Sequence, residues 1–92
     1  MRIRWTEPAF RDFTHICDYS GIEFGPERAR RTALQIHEAV DSLMNFPHRG
    51  RLGRKPGTSE LVITGLPFLA VYRLRDDVVE ILRILHGAQK WP

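Results

Sequence analysis

The chain has 92 residues, 42% of them hydrophobic and 27% charged. That is enough for one domain with a single core and argues against a disordered chain. A net charge of +3 and a pI near 9.6 suit an anionic partner such as RNA, DNA or an acidic protein segment, without choosing among them. The lone Cys17 excludes an intrachain disulfide and a cysteine metal site, which fits a reducing cytosol. The opening MRIRWTEP has no apolar core of a signal peptide, and no apolar run approaches the roughly 18 residues a bilayer span requires, so the expected location is cytoplasmic, away from membranes.

Arg2 to Trp5 reads as a first strand, with Ile3 on one side and Arg2 and Arg4 on the other. Thr6 is placed to cap a helix whose first turn carries Glu7 and Pro8. Phe10, Phe13, Ile16 and Cys17 follow at helical spacing, and Ser20-Gly21 marks the expected stop. A second helix is expected from Gly25-Pro26. Its apolar stripe runs through Ala29, Ala33, Ile36, Val40 and Leu43 and closes at Phe46-Pro47. The two alanines permit close approach of the first helix, so an antiparallel helix hairpin is expected.

Residues 47–57, PHRGRLGRKPG, read as a loop that holds Arg49, Arg51, Arg54 and Lys55 without an acid. Three strands should follow: Glu60 to Thr64, Phe68 to Arg75 and Val78 to His86, the last two joined by a tight Asp76-Asp77 turn. A two-residue loop there sets Arg75 opposite Val78, Arg73 opposite Glu80 and Ala70 opposite Arg83. The expected fold is α+β: a small antiparallel sheet, made of the N-terminal strand and a C-terminal three-strand meander, with the helix hairpin on one face. Phe10, Phe13 and Phe46 are expected in the core. Trp5 and Trp91 are expected to pack on each other or on the core, or else Trp91 is an exposed contact for a partner.

The stretch VYRLRDDVVEILRILHGAQKWP, Val71 to Pro92, carries a YR pair, an acidic turn, a V-x-I-L-R-I-L-H strand and a G-A-x-x-W ending. It resembles the last third of the RelE/ParE superfamily of toxins from bacterial type II toxin–antitoxin systems. The opening basic-aromatic strand into E-P-A, the F-P-x-x-G-R from Phe46 and the G-x-x-E-L from Gly57 are looser matches. The resemblance implies a toxin held inactive by a cognate antitoxin whose C-terminal segment wraps it. It implies operator DNA binding only through that complex.

Two toxic mechanisms are open. A RelE-like ribonuclease cuts mRNA on the ribosome and needs a base, an acid and cations around the scissile phosphate. Here His86 or Glu60 would supply proton transfer, and Arg73, Arg83, Arg54 and Lys55 the charge. The sequence departs from that branch: Leu69 stands where such RNases often carry arginine, and no tyrosine follows Tyr72. A ParE-like toxin is not an enzyme; it binds DNA gyrase through a surface, and the L-R-I-L-H-G-A ending resembles this branch more closely. A third alternative is a degenerate member that binds its antitoxin and poisons nothing.

The candidate catalytic residues are therefore His86, Arg83 and Arg73, only if the chain is an RNase. The candidate target- or nucleic-acid-binding residues are Arg49, Arg51, Arg54, Lys55, Lys90 and Trp91. Each has a structural reading beside it. Arg73 pairs across strands with Glu80, and Arg83 reaches a sheet edge. His86 is a hydrogen-bonded strand end, Glu60 a surface residue at a strand start, and the loop cations a solvated loop. His15, His37 and His48 have no ligand-like spacing, so no metal and no cofactor is assigned.

Overall fold

The computed structural model describes residues 1–92 and is α+β, as the sequence pattern indicates. In chain order the elements are β1 (Arg2–Trp5), α1 (Glu7–Phe24), α2 (Pro26–Asp41), a single 3-10 turn (Ser42–Met44), β2 (Arg51–Leu52), β3 (Ser59–Val62), β4 (Phe68–Arg75) and β5 (Val78–His86). The sheet has five strands in the order β1-β5-β4-β3-β2. It is mixed and not wholly antiparallel, because β1 runs parallel to β5 while the remaining pairs are antiparallel. The long helical crossover between β1 and the rest of the sheet permits a parallel pairing that no short turn allows. The short β2 lies inside the stretch expected to be loop and adds a fifth strand beside β3. No helix is long and apolar enough to cross a membrane.

Thr6 caps α1 as expected, accepting from the Ala9 amide at 3.4 Å. The helix runs a turn past Ser20-Gly21, because the residue that leaves helical geometry is Gly25, with φ of 91°. Gly25 is the only residue between the helices, and Pro26 then starts α2. Gly21 serves the packing of the hairpin: a side chain there would meet the Ala29 methyl. Between the helices the buried hydroxyls of Ser20 and Thr32 lie 3.5 Å apart, each the other's partner.

The buried line of α1 is Ala9, Phe13, Ile16 and Ser20, and that of α2 is Ile36 and Val40 with Leu43 beyond. They cover one sheet face through Leu61, Ile63, Ala70, Tyr72, Val79, Ile81 and Ile84. Phe10 and Phe46 are not core: they are 59% and 65% exposed. Phe10 falls one position off the buried line, and Phe46 lies past the last helical turn. Trp5 and Trp91 do not pair. Trp5 meets Phe13 edge-on at 5.4 Å on the helix side, while Trp91 packs on Leu69, Val71 and Leu85 on the opposite face.

The β4–β5 hairpin has the expected two-residue turn, and Asp76 takes the positive φ of 55° that such turns need. Arg75 faces Val78 and Arg73 faces Glu80 as expected, but Arg83 faces Val71, not Ala70. Leu82 is an extra residue, a β-bulge between the Tyr72–Ile81 and Val71–Arg83 pairs. It is held from β1's end, where the Thr6 hydroxyl lies 2.8 Å from the Ile81 carbonyl and 3.1 Å from that of Leu82. The bulge resets the alternation, so Ile81 and Ile84 both reach the helix-side core and Leu82 and Leu85 both reach the other face.

Candidate functional site

The basic loop is fastened from beneath by Tyr72. Its fully buried ring brings the hydroxyl to 3.0 Å from the Gly50 amide, which donates to it, and to 2.8 Å from the Pro47 carbonyl, to which it donates. Glycine is required at position 50 because a Cβ there would sit 2.5 Å from that hydroxyl.

Glu60 follows on β3. It is not a surface residue, as its position at a strand start suggested: its side chain is only 2% exposed. Register places Arg51 of β2 directly opposite, and Arg51 reaches one carboxylate oxygen at 3.3 Å. The other oxygen accepts the Arg54 amide at 3.1 Å and lies 3.3 Å from the Arg54 guanidinium. The same guanidinium donates to the carbonyls of Gln89 at 2.7 Å and Gly87 at 3.4 Å, so the loop holds the C-terminal tail. The Lys55 ammonium stands 6.0 Å from the Trp91 ring centre.

Glu80 repeats this arrangement on β5. It is nearly buried, Arg73 binds it at 2.6 Å from β4, and Arg4 binds its second oxygen from the parallel strand β1. Hydrogen bonds from Arg4 and then Arg73 outweigh burial and hold its carboxyl at about 2.

Arg83 reaches round the edge of β5 beyond the end of β1. Asp12 on α1 takes it with both oxygens, at 2.7 and 3.0 Å, and also accepts the Ile84 amide at 3.0 Å. The hydrogen bond to Asp12 raises the Arg83 pKa further.

Of the residues singled out in the sequence, Lys55, Arg73, Arg83 and Trp91 line one cleft of about 310 Å³, with Leu82 and residues 56–58. No carboxylate and no histidine lines it. His86 opens instead into a separate cleft of about 220 Å³ with Asp12, His15, Ile16, Phe68, Ile84 and Gln89. There its ring stands edge-on to Phe68 at 5.9 Å, and its Nδ1 accepts the Ala88 amide at 3.2 Å. Arg49 turns away to the Ser42 hydroxyl at 2.6 Å, at the end of α2. Lys90 is exposed on the tail.

Sequence reasoning missed Arg4 and Asp12. Arg4 was visible only as one of two outward arginines, since its partner depends on the parallel pairing of β1 with β5. Asp12 is an ordinary polar helix position, and its role comes from the place where α1 crosses the β5 edge.

Residues 3–91 match the family of ParE toxins of type II toxin–antitoxin systems, parDE. The chain belongs to the ParE toxin family. Among curated relatives, this ParE-family chain is 42% identical over 91 residues to the toxin-class protein Y4kP of Sinorhizobium fredii, covering 99% of the chain and 93% of that relative. It is 41% identical over 88 residues to the toxin RelE2 of Caulobacter vibrioides, covering 96% and 97%. A solved structure of the chromosomal ParDE toxin–antitoxin system from P. aeruginosa superposes with a TM-score of 0.86 at 32% identity, over 94% of this chain and 95% of that one. The ParE-family chain is thus the toxin component of a type II toxin–antitoxin module, and membership implies a cognate antitoxin as partner.

Proposed function

We propose that this ParE-family toxin acts by binding DNA gyrase and performs no RNA cleavage. The observation that carries the reading is the separation of charge from proton transfer. The cleft lined by Lys55, Arg73 and Arg83 contains no histidine, carboxylate or tyrosine, while His86 faces a different cleft. Cleavage at a ribose 2′-OH needs a base and an acid within hydrogen-bond reach of the phosphate that the cations hold. A binding toxin needs only a shaped, charged surface. Arg73 and Arg83 also donate to Glu80 and Asp12, as expected of arginines that build a rigid surface. In this reading the antitoxin's C-terminal segment wraps the toxin in the cytoplasm, and the pair meets operator DNA through the antitoxin.

Two observations favour a RelE-like second reading: the relative named RelE2 is nearly as similar as Y4kP, and His15, His86 and Asp12 share a cleft. Induction of the chain alone, with nucleoid imaging and mapping of mRNA 5′ ends in the same cells, separates the two. The expected result is filamentation and a DNA-damage response with intact transcripts, rescued by co-expressed antitoxin. New codon-phased 5′ ends with prompt translation arrest would replace it with the ribonuclease reading.

A further inference from the structure

Opposite the helices, two buried carboxylates are each shared by two arginines. Glu80 sits between Arg4 and Arg73, and Glu60 between Arg51 and Arg54. One carboxylate cancels one guanidinium, so each triad keeps one positive charge, and Lys55 beside them adds a third. The carboxylates are only 5% and 2% exposed, whereas Arg4 is 59%, Arg73 41%, Arg51 60% and Arg54 36% exposed. The negative charge is therefore buried under the sheet surface while part of each guanidinium fork remains open to solvent. Fixed in this way, the forks keep a set geometry toward phosphate oxygens, at lower entropic cost than free surface side chains. Arg73 of the first triad also lines the cleft that holds Lys55, Arg83 and Trp91. The indole packs on Leu69, Val71 and Leu85 and also lines the cleft, so it is braced from behind.

Cations along a groove beside a braced aromatic ring match the needs of an unpaired nucleic-acid strand, whose phosphates seek charge and whose bases seek a stacking partner. An acidic peptide would use the charge alone, whereas an unpaired strand would also use the exposed part of the ring, beside which the Lys55 ammonium stands 6.0 Å from the ring centre. We infer that this helix-free face binds single-stranded DNA, with Arg4, Arg73, Arg51, Arg54 and Lys55 on its phosphates and Trp91 under one base. The choice of DNA over RNA rests on the gyrase reading; the surface itself does not.

The test is fluorescence anisotropy of a labelled thymidine dodecamer with the full chain freed of its antitoxin, followed by a gyrase cleavage assay on the same preparation. Neutralising three phosphates on a single strand predicts that affinity falls about twentyfold when salt rises from about 50 to about 200 mM. Trp91→Leu should weaken binding about fivefold or more, and Lys55→Gln should lower the salt slope by about 0.7. Arg30→Gln, on α2 and paired with Glu27, should change nothing. Lys55 is exposed, so its variant remains informative even if Trp91→Leu loosens the tail. The inference is overturned by absence of binding at about 50 mM salt, or by equal binding of wild type and both variants. Tighter binding of polyglutamate or of an RNA dodecamer also overturns it. Gyrase poisoning without oligonucleotide binding would overturn this inference and leave the gyrase reading standing. Oligonucleotide binding without poisoning would support the surface and overturn the gyrase reading.

Discussion

The Tyr72 hydroxyl and the Gly50 amide, 3.0 Å apart, join the middle of the sheet to the start of the basic loop. The same hydroxyl donates to Pro47, so one buried phenol sets where the loop leaves α2 and where β2 begins. The tyrosine of the YR pair is thus a structural anchor, and its neighbour Arg73 points to the opposite face to hold Glu80.

Tyr72→Phe keeps the packing of the ring and leaves the Gly50 amide and Pro47 carbonyl without their partner. The expected loss is about 1–2 kcal/mol of stability, the usual cost of stranding partly buried hydrogen-bonding groups. Urea unfolding measures it. Hydrogen exchange should show the Gly50 amide losing protection while the Ile84 amide keeps it; an unchanged Gly50 rate would mean the loop is held elsewhere.

Asp12 and Arg83 are predicted to behave as a pair. Asp12→Ala should cost about 1–2 kcal/mol, at the low end for charged hydrogen bonds because Arg83 retains solvent access. Arg83→Met should cost less than that, and the double variant should show clear non-additivity in a mutant cycle. If the two single losses simply add, the contact at 2.7 Å contributes no coupling.

Glu80 gives the protein an acid-sensitive element. Its folded pKa of about 2 lies below the ordinary 4.5, so folding favours the ionised form. The stability it contributes is fully present above pH 4.5 and is lost as pH falls from 4.5 toward 2. Glu80→Gln should flatten the pH dependence of the denaturation midpoint within that window and leave the slope above it unchanged. An equally steep acid limb in the variant would assign the effect to other carboxylates.

His86→Ala separates the mechanisms at a single residue. Under the gyrase reading the variant stays folded and toxic, because His86 lies outside the cationic cleft and its Nδ1 serves the Ala88 turn. Complete loss of toxicity in a variant with unchanged thermal unfolding would place His86 in the chemistry.

Element identity was written locally. The apolar stripe of α2, the Thr6 cap, the loop's glycines and prolines and the Asp76-Asp77 turn each act through neighbours in sequence. The two helices and the β4–β5 hairpin were therefore readable, and so was the Arg73–Glu80 pair that follows from the turn. Local signals ended where the bulge began. Leu82 reads as one more apolar strand residue, and its carbonyl in the bulge accepts from Thr6, 76 positions earlier in the chain.

The sequence by itself determined that this protein is one small α+β domain with a basic loop, and its C-terminal strand and tail carried the family resemblance. Only the tertiary structure decided which charges are free. Arg4 and Arg73 meet at Glu80 because β1 lies parallel to β5, Arg51 and Arg54 meet at Glu60 because β2 pairs with β3, and Arg83 meets Asp12 where α1 crosses a sheet edge. A charge acts through space over a few ångströms and falls off steeply in salt water, so its partner is set by strand pairing and helix placement; sequence spacing reached only the Arg73–Glu80 contact, which lies across a two-residue turn.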